Sequence, residues 1–207
     1  MLKVERISVM NFENALRGAR NPLNSWDRSD SYYDEKGNYV LGEADIRLGA
    51  KLAQAGSDHR KFLRQIFVSM DITAPLYWWK EFDTYKVGTV ANSCSTMHKI
   101  HAAPFTREDF SCDRMDERAL AVLDSVIDFL ESERQKFCAN SEDRTPWHNM
   151  IQLLPTSYNQ MRTVTMNYEN LIGIYYARKS HKLAEWHTLC HAIEELPYAK
   201  EFILVKG

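Results

Sequence analysis

Two residues that can bind an anion, an asparagine and an arginine, lie at the two ends of a predicted helix in the last quarter of the sequence. Asn167 follows the segment 158–166, whose alternating side chains are typical of a half-exposed strand. From Asn167 the apolar spacing becomes helical, and asparagine is a favoured N-cap residue. Arg178 lies at the C-terminal end of that helix. The pattern predicts an anion-binding geometry; the structural alternative is that Asn167 only caps the helix and Arg178 only complements its dipole.

A cysteine offers a second possible chemistry. Cys94 lies between two serines, and a thiol becomes a nucleophile when a nearby base or cation lowers its pKa. Lys86 and His98 are the candidates for that role, and proximity to either does not follow from the sequence. The alternative is a buried, inert cysteine.

Two histidines have the spacing of a helical metal site. His187 and His191 are four residues apart and share a helix face, which is suitable for a divalent cation. The glutamate that zinc proteases place between such histidines is absent, so we predict no metal site. Neither a GxGxxG turn nor a GxxxxGK[ST] loop is present. Five aromatic residues are expected to pack as core rather than to stack on a ligand: Tyr77, Trp78, Trp79, Phe82 and Tyr85.

The segment that leads into this predicted helix resembles the flavin-dependent thymidylate synthases, the ThyX family. In that family a Leu-Pro pair precedes a strand ending in Thr-Val-Asn, and here Leu154-Pro155 precedes Thr165-Met166-Asn167 at the same interval. The family's asparagine belongs to the flavin site, and its arginine holds and activates the pyrimidine of dUMP. The resemblance therefore implies flavin contact for Asn167 and a catalytic, substrate-binding role for Arg178. Further similar positions are His181, Glu185-Trp186 and the run from Ile72 to Tyr77.

The family's signature is altered in this chain. The family has Arg-His-Arg followed, after seven residues, by Ser; the matching residues here are Thr84, Tyr85, Lys86 and Cys94. Each lost arginine removes a strong charge-assisted contact to phosphate. By position, the resemblance implies that Lys86 contacts a phosphate and that His59, in an altered Gly-His motif, lies near flavin. It also implies substrate contacts for three residues: Glu81, Asn92 and Cys94.

Three functional hypotheses follow from the resemblance. The first is a flavin-dependent enzyme that transfers a methyl or other group to a dUMP-type nucleotide, with FAD, a reduced nicotinamide and a methylene-folate. The second is a protein of the same fold that has lost catalysis and FAD, and that binds a nucleotide or serves in assembly. The third is an enzyme of altered specificity whose Glu81 and Asn92 recognise a different base or a substrate without a phosphate. The family assembles its active site between the subunits of a tetramer, so the resemblance also implies a homotetramer.

Composition places the chain among ordinary globular proteins. The sequence has 207 residues, 44% of them hydrophobic, and a net charge of -2 with interspersed basic residues. This distribution does not favour nucleic-acid binding. The four cysteines are widely spaced without a CxxC pair, as is typical of a reducing compartment. Because we find neither a signal peptide nor an apolar run of about 20 residues, we predict a cytoplasmic protein without a membrane span.

The hydrophobic periodicities predict an α+β fold, in which helices pack around a small mixed or antiparallel sheet. We expect one domain over residues 1–207, with a long polar loop at 18–42. The clearest helix is predicted at 115–137, where a stripe of apolar residues indicates a buried face. Other helices are predicted at 12–17, 43–55, 75–82, 147–153, 167–178 and 181–196, and strands at 2–10, 67–74 and 158–166.

Overall fold

The computed structural model describes residues 2–205 and has an α+β fold, as predicted from the sequence. Four strands form the main sheet in the order β1-β4-β6-β5. A separate antiparallel hairpin pairs Tyr32 with Val40 and Tyr33 with Tyr39. The strands are β1 (Lys3–Met10), β2 (Tyr32–Tyr33), β3 (Tyr39–Val40), β4 (Phe67–Pro75), β5 (Val90–Ser93) and β6 (Asn159–Asn167).

About half of the chain is helical. None of the helices within residues 2–205 is long and apolar enough to cross a lipid bilayer. The helices are α1 (Phe12–Arg20), α2 (Glu43–Gln54), α3 (Leu76–Phe82), α4 (Glu117–Ala139), α5 (Thr145–Leu153), α6 (Tyr168–Arg178), α7 (Ala184–Glu194) and α8 (Ala199–Phe202).

Several predicted boundaries were wrong. Helix α7 begins at Ala184, three residues later than predicted, because Leu183 is extended (ψ 121°) and its N–H donates to His181 Nδ1 at 3.2 Å. Strand β5 and helix α8 were not predicted; β5 has four residues, all exposed, and so carries no burial pattern. Helix α1 continues three residues beyond its predicted end, to Arg20.

The described chain contains two compact units. Unit 1 comprises Ile72–Thr84 and Asn92–Thr163 with the first residues of the chain, and unit 2 comprises Val4–Asp71, Tyr85–Ala91 and the residues from Val164 onward. In unit 1 the predicted stripe of α4 is confirmed as core: Leu123, Ile127 and Leu130 are buried in one hydrophobic cluster. The prediction of a single domain over the whole chain stays a prediction.

Unit 2 has its core around helix α6. Tyr168, Leu171 and Ile174 are fully buried, and the Tyr168 hydroxyl donates to the Pro197 carbonyl oxygen at 2.8 Å. Burial raises the pKa of the Tyr168 phenol well above its usual value. Helix α6 is thus fixed along its length, which sets the positions of the side chains at its two ends.

The predicted loop at 18–42 has a local structure of its own in unit 2. It completes α1, forms two short 3-10 turns and then the β2–β3 hairpin. Asp45, fully buried, accepts hydrogen bonds from the hydroxyls of Ser29 and Ser31 at 2.5 and 2.6 Å, and lies 2.6 Å from the buried Arg20 guanidinium. The start of the hairpin is therefore tied to α1 and α2.

Candidate functional site

The predicted N-cap at the start of α6 is confirmed. Asn167 ends β6 in an extended conformation and is 9% exposed. Its Oδ1 accepts from the Asn170 N–H at 3.0 Å, and the Asn170 Oδ1 accepts from the Asn167 N–H at 3.3 Å. This reciprocal pair is a capping box, which satisfies two of the backbone donors that a helix leaves unpaired at its N-terminus.

The loop at 86–88 lies against this cap. Gly88 has φ +69°, and a Cβ built on it would lie 2.8 Å from Asn170 Oδ1 and 2.9 Å from Asn167 Nδ2. The Asn170 Nδ2 donates to the Val87 carbonyl oxygen at 2.8 Å. Both the positive φ and the close approach favour glycine at position 88. The Asn167 and Asn170 side chains therefore contact each other and the loop at Val87 and Gly88.

Arg178, at the other end of α6, is held by two aromatic side chains of unit 2. Its Nε donates to the Tyr85 hydroxyl at 2.8 Å, and its guanidinium carbon lies 4.4 Å from the centroid of the Trp186 ring. The Tyr85 and Trp186 rings meet edge to face, with centroids 6.0 Å apart. A guanidinium is a planar group of N–H donors whose geometry matches carbonyl and oxyanion groups, and stacking on an indole fixes its plane. Arg178 thus does more than complement the helix dipole.

Asn167 and Arg178 are not brought together. They are eleven residues apart at the two ends of one helix, so about 16 Å separates them along its axis. A ligand that contacted both would have to extend along the whole helix. The structure instead pairs Arg178 with Tyr85, the residue that matches the middle position of the altered signature.

The two other predicted cofactor-binding residues of unit 2 are exposed. Lys86, the residue after Tyr85, is exposed. His59 lines a cavity of about 500 Å³ together with Asp58 and Lys61. Asn167, Lys86 and Arg178 are not among the lining residues of that cavity. The flavin and phosphate contacts predicted for Asn167, Lys86 and His59 stay predictions.

Three predicted substrate-binding residues belong to unit 1. Glu81 is half-buried on α3, Asn92 is exposed on β5, and Cys94 is exposed just beyond β5. The Cys94 backbone is fixed to β6: its N–H donates to the Met161 oxygen at 2.9 Å, and its carbonyl oxygen accepts from Gln160 Nε2 at 2.8 Å. The expectation that Cys94 is buried is wrong, because its side chain is exposed just beyond the edge strand; its role as a nucleophile stays a prediction.

Sequence analysis did not identify Arg162, a second arginine stacked on an aromatic ring. In unit 1 its guanidinium carbon lies 4.2 Å from the Trp79 ring centroid, and its Nη1 lies 2.7 Å from Asp83 Oδ1. Its Nε donates to Gln160 Oε1 at 3.0 Å. The two-residue spacing of Gln160 and Arg162 places both on one face of β6. The occurrence of Gln160 and Arg162 on one face of a strand was the sequence feature from which Arg162 could have been identified.

The expectation that the five aromatic residues between positions 77 and 85 are core is confirmed for three of them and wrong for Tyr77 and Tyr85, which are half-buried. Trp78, Trp79 and Phe82 are each at most 1% exposed. The Trp79 Nε1 donates to the Gln160 carbonyl oxygen at 2.9 Å within unit 1. A ring contact with a bound ligand is therefore left to the half-buried residues of the run, Tyr77 and Tyr85.

The histidines of α7 make contacts within unit 2. His187 Nε2 lies 2.7 Å from the His181 carbonyl oxygen, and His191 Nδ1 lies 3.5 Å from Glu194 Oε2. Within residues 2–205, no group of three or more His, Cys, Asp or Glu side chains is arranged around a common metal position. Glu194 also accepts from the Tyr175 hydroxyl at 2.7 Å, which raises the pKa of Tyr175 to about 12.

Comparison with known proteins shows a shared fold at low sequence identity. No protein-family model and no curated protein sequence matches the chain. Two crystal structures of the flavin-dependent thymidylate synthase ThyX from Helicobacter pylori, both with FAD and dUMP, match at TM-score 0.70 and 17% identity. They cover 98% and 99% of this chain, and the match spans 97% and 100% of theirs. The UMP/dUMP methylase PolB from Streptomyces cacaoi, bound with 5-Br dUMP, matches at TM-score 0.62 and 16% identity, over 94% of this chain and 88% of that one. The chain therefore has a ThyX-like fold, as the resemblance implied.

Proposed function

We propose that this chain binds a pyrimidine nucleotide of the dUMP class, with the ring held by Arg178 and the phosphate by Lys86. The observation that carries the proposal is the hydrogen bond from Arg178 to Tyr85, the residue that directly precedes Lys86. This hydrogen bond fixes the Arg178 guanidinium, whose planar donors match ring carbonyl groups, against the loop that carries the exposed Lys86 ammonium. Dissimilar proteins with this fold have been crystallised with dUMP or 5-Br dUMP, which supports the ligand class.

In this proposal each group has a distinct task. The Arg178 guanidinium donates to a pyrimidine carbonyl oxygen and stabilises negative charge that develops on the ring. Tyr85 is a positioning residue, since its hydroxyl accepts from Arg178 and restricts the guanidinium. Lys86 contributes one phosphate contact where the family has several cations. The substrate contacts predicted for Glu81, Asn92 and Cys94 stay predictions.

The residues at the start of α6 fit the diphosphate of FAD poorly. A diphosphate needs several cations or the free N–H groups of a helix N-terminus. Here the capping box of Asn167 and Asn170 occupies part of that terminus, and Gly88 packs against both side chains. Of the three residues that match the signature triplet, only Lys86 is cationic. We therefore derive no reaction step through flavin.

Titration calorimetry with dUMP and with deoxyuridine tests the nucleotide site. We expect dUMP to bind, and Arg178→Lys to weaken both ligands by at least about 10-fold, because an ammonium lacks the planar fork. Lys86→Ala should weaken dUMP alone, towards the affinity of deoxyuridine. Arg47→Ala is the control, because Arg47 is an exposed arginine on α2 paired with Glu43. A folded protein that binds no dUMP would contradict the proposal, and so would equal losses for Arg178→Lys and Arg47→Ala.

A flavin-dependent group-transfer enzyme is the second candidate. It is favoured by the fold shared over 98% of this chain with a thymidylate synthase crystallised with FAD and dUMP. The test is the visible absorption spectrum of the concentrated protein, with and without added FAD. Stoichiometric flavin, together with dUMP-dependent oxidation of the reduced flavin, would support this candidate. A colourless protein that takes up no FAD would leave nucleotide binding without flavin chemistry.

A further inference from the structure

A cavity of about 790 Å³ in unit 2 lies between the start of the chain's first helix and the β2–β3 hairpin. Its lining comes from β1, the first turn of α1, the hairpin and the turn after α7. None of the residues proposed to bind nucleotide or flavin is among the residues that line it. The cavity is thus separate from the nucleotide proposal.

The charged lining of this cavity is acidic. Among its described lining residues, Glu13 and Glu195 are the charged side chains, and no lysine, arginine or histidine is present. Glu13 Oε2 accepts from the Tyr33 hydroxyl at 2.5 Å. A carboxylate has about four acceptor positions, so Glu13 keeps capacity for a further donor. Such a lining attracts a cation and repels an anion.

The walls of the cavity are aromatic. Tyr33, 58% exposed, meets Tyr39 edge to face with ring centroids 5.2 Å apart, and Phe12 meets Tyr198 in the same way at 5.3 Å. Aromatic faces attract ammonium and guanidinium groups.

An apolar strip adjoins these charges and rings. Ile7 and Met10 of β1 line the cavity and are 42% and 44% exposed. They provide apolar surface for a carbon chain attached to the cationic head. The carboxylates, the aromatic faces and the apolar surface together match the charged head and the carbon chain of an amphiphilic cation.

The hairpin side of the cavity is formed in advance of binding. Ser29 and Ser31, just before β2, are held by the buried Asp45, and the Tyr33 hydroxyl is held by Glu13. A wall that is already ordered loses little conformational entropy when a ligand binds.

We propose that this cavity binds an organic cation, an alkylammonium or guanidinium group carried on an apolar chain. Glu13 and Glu195 accept hydrogen bonds from the head group, the tyrosine rings contact its charge, and Ile7 and Met10 contact the chain. The site is independent of nucleotide binding at Arg178.

Calorimetric titration of the full chain with n-butylammonium and n-butylguanidinium tests the proposal. n-Butanol and n-butyrate are the matched ligands, with the same chain and a neutral or anionic head. We expect at least one of the cations to bind about 10-fold or more tightly than n-butanol, and n-butyrate not to bind. Equal affinity of both cations and n-butanol would overturn the proposal.

Affinity measurements on variants distinguish the effect of the carboxylate charges from the effect of the cavity's shape. Glu13→Gln combined with Glu195→Gln should lower cation affinity by about 10-fold or more, and Glu195→Gln alone by about 5-fold. Tyr33→Phe keeps the ring and should change affinity by less than about 3-fold. Glu43→Gln, an exposed carboxylate on α2, is the control.

Unchanged affinity in the double variant would refute a carboxylate site. If the double variant fails to fold, Glu195→Gln alone decides, because Glu195 does not take part in the Tyr33–Glu13 hydrogen bond. A loss in Tyr33→Phe as large as that in the double variant would contradict the proposal, since it would assign the effect to the hairpin contact and not to the charge.

Discussion

The hydrogen bond between Arg178 and Tyr85 can be measured through its contribution to stability. Tyr85→Phe removes the hydroxyl and keeps the ring, while Arg178→Met removes the charge and keeps an unbranched stem over Trp186. Each single substitution also affects other contacts of the two residues. A double-mutant cycle subtracts those contacts and isolates the energy of the pair.

The structure sets the expected size of this coupling. A hydrogen bond to a charged group contributes about 1.5–3 kcal/mol, and partial solvent exposure of Arg178 lowers that figure. We expect a coupling free energy of about 1–2 kcal/mol. For a chain of this size, this corresponds to about 2–8 °C in melting temperature.

Urea unfolding of the four proteins, followed by circular dichroism and analysed by linear extrapolation, measures the coupling. The slopes with urea must agree among the variants for the cycle to be interpreted. Effects of the two substitutions that add to within about 0.3 kcal/mol would refute the pairing. If the pairing holds, Tyr85→Phe should also weaken dUMP binding, and should do so only while Arg178 is present.

Three further results are expected. Hydrogen bonds from Arg134, with smaller contributions from other donors, lower the pKa of Glu131 from 4.5 to about 2. The ionised Glu131 carboxylate therefore stabilises the folded protein fully above pH 4.5, and this contribution is lost as the pH falls through 2. Glu131→Gln should therefore cost about 1–3 kcal/mol near pH 7, and in urea titrations its difference from the parent should disappear between pH 4.5 and 2. Asp45→Asn should cost about 3–5 kcal/mol in the same assay, because it leaves the buried Arg20 without its charged partner. Burial raises the pKa of Cys190 to about 11, so at pH 8 a disulfide reagent should modify it far more slowly than the exposed cysteines; equal rates would contradict its burial.

Local features of the fold could be predicted from the sequence because their determinants are close together in the chain. The cap at Asn167 depends on residues three positions apart, and the buried face of α4 on a repeating apolar pattern. Helix α4 begins at Glu117, two residues after its predicted start, because the Asp116 side chain accepts from the Ala119 N–H at 2.8 Å as an N-cap. Strand β5 lacked such a signal, since an exposed edge strand of four residues has no buried alternation.

Most of the candidate site could not be predicted, because its contacts join distant residues. Tyr85 and Arg178 are 93 residues apart, and Asp83 and Arg162 are 79 residues apart. Hydrophobic periodicity carries no information about which distant side chains meet. The resemblance matched Tyr85 and Arg178 to family positions separately, and only the structure shows that they are hydrogen-bonded.

A hydrophobic core tolerates more substitutions than a charged binding site does. Two proteins can therefore share a fold while the residues at their binding sites differ. A core accepts many apolar replacements when volume and pattern are kept, so a ThyX-like fold is retained at 17% identity. A phosphate site depends on a few charged side chains, and replacing two arginines or histidines there changes its chemistry directly. The fold alone therefore does not establish catalysis. The nucleotide-binding proposal therefore rests on Arg178 and its hydrogen bond to Tyr85, and not on the shared fold.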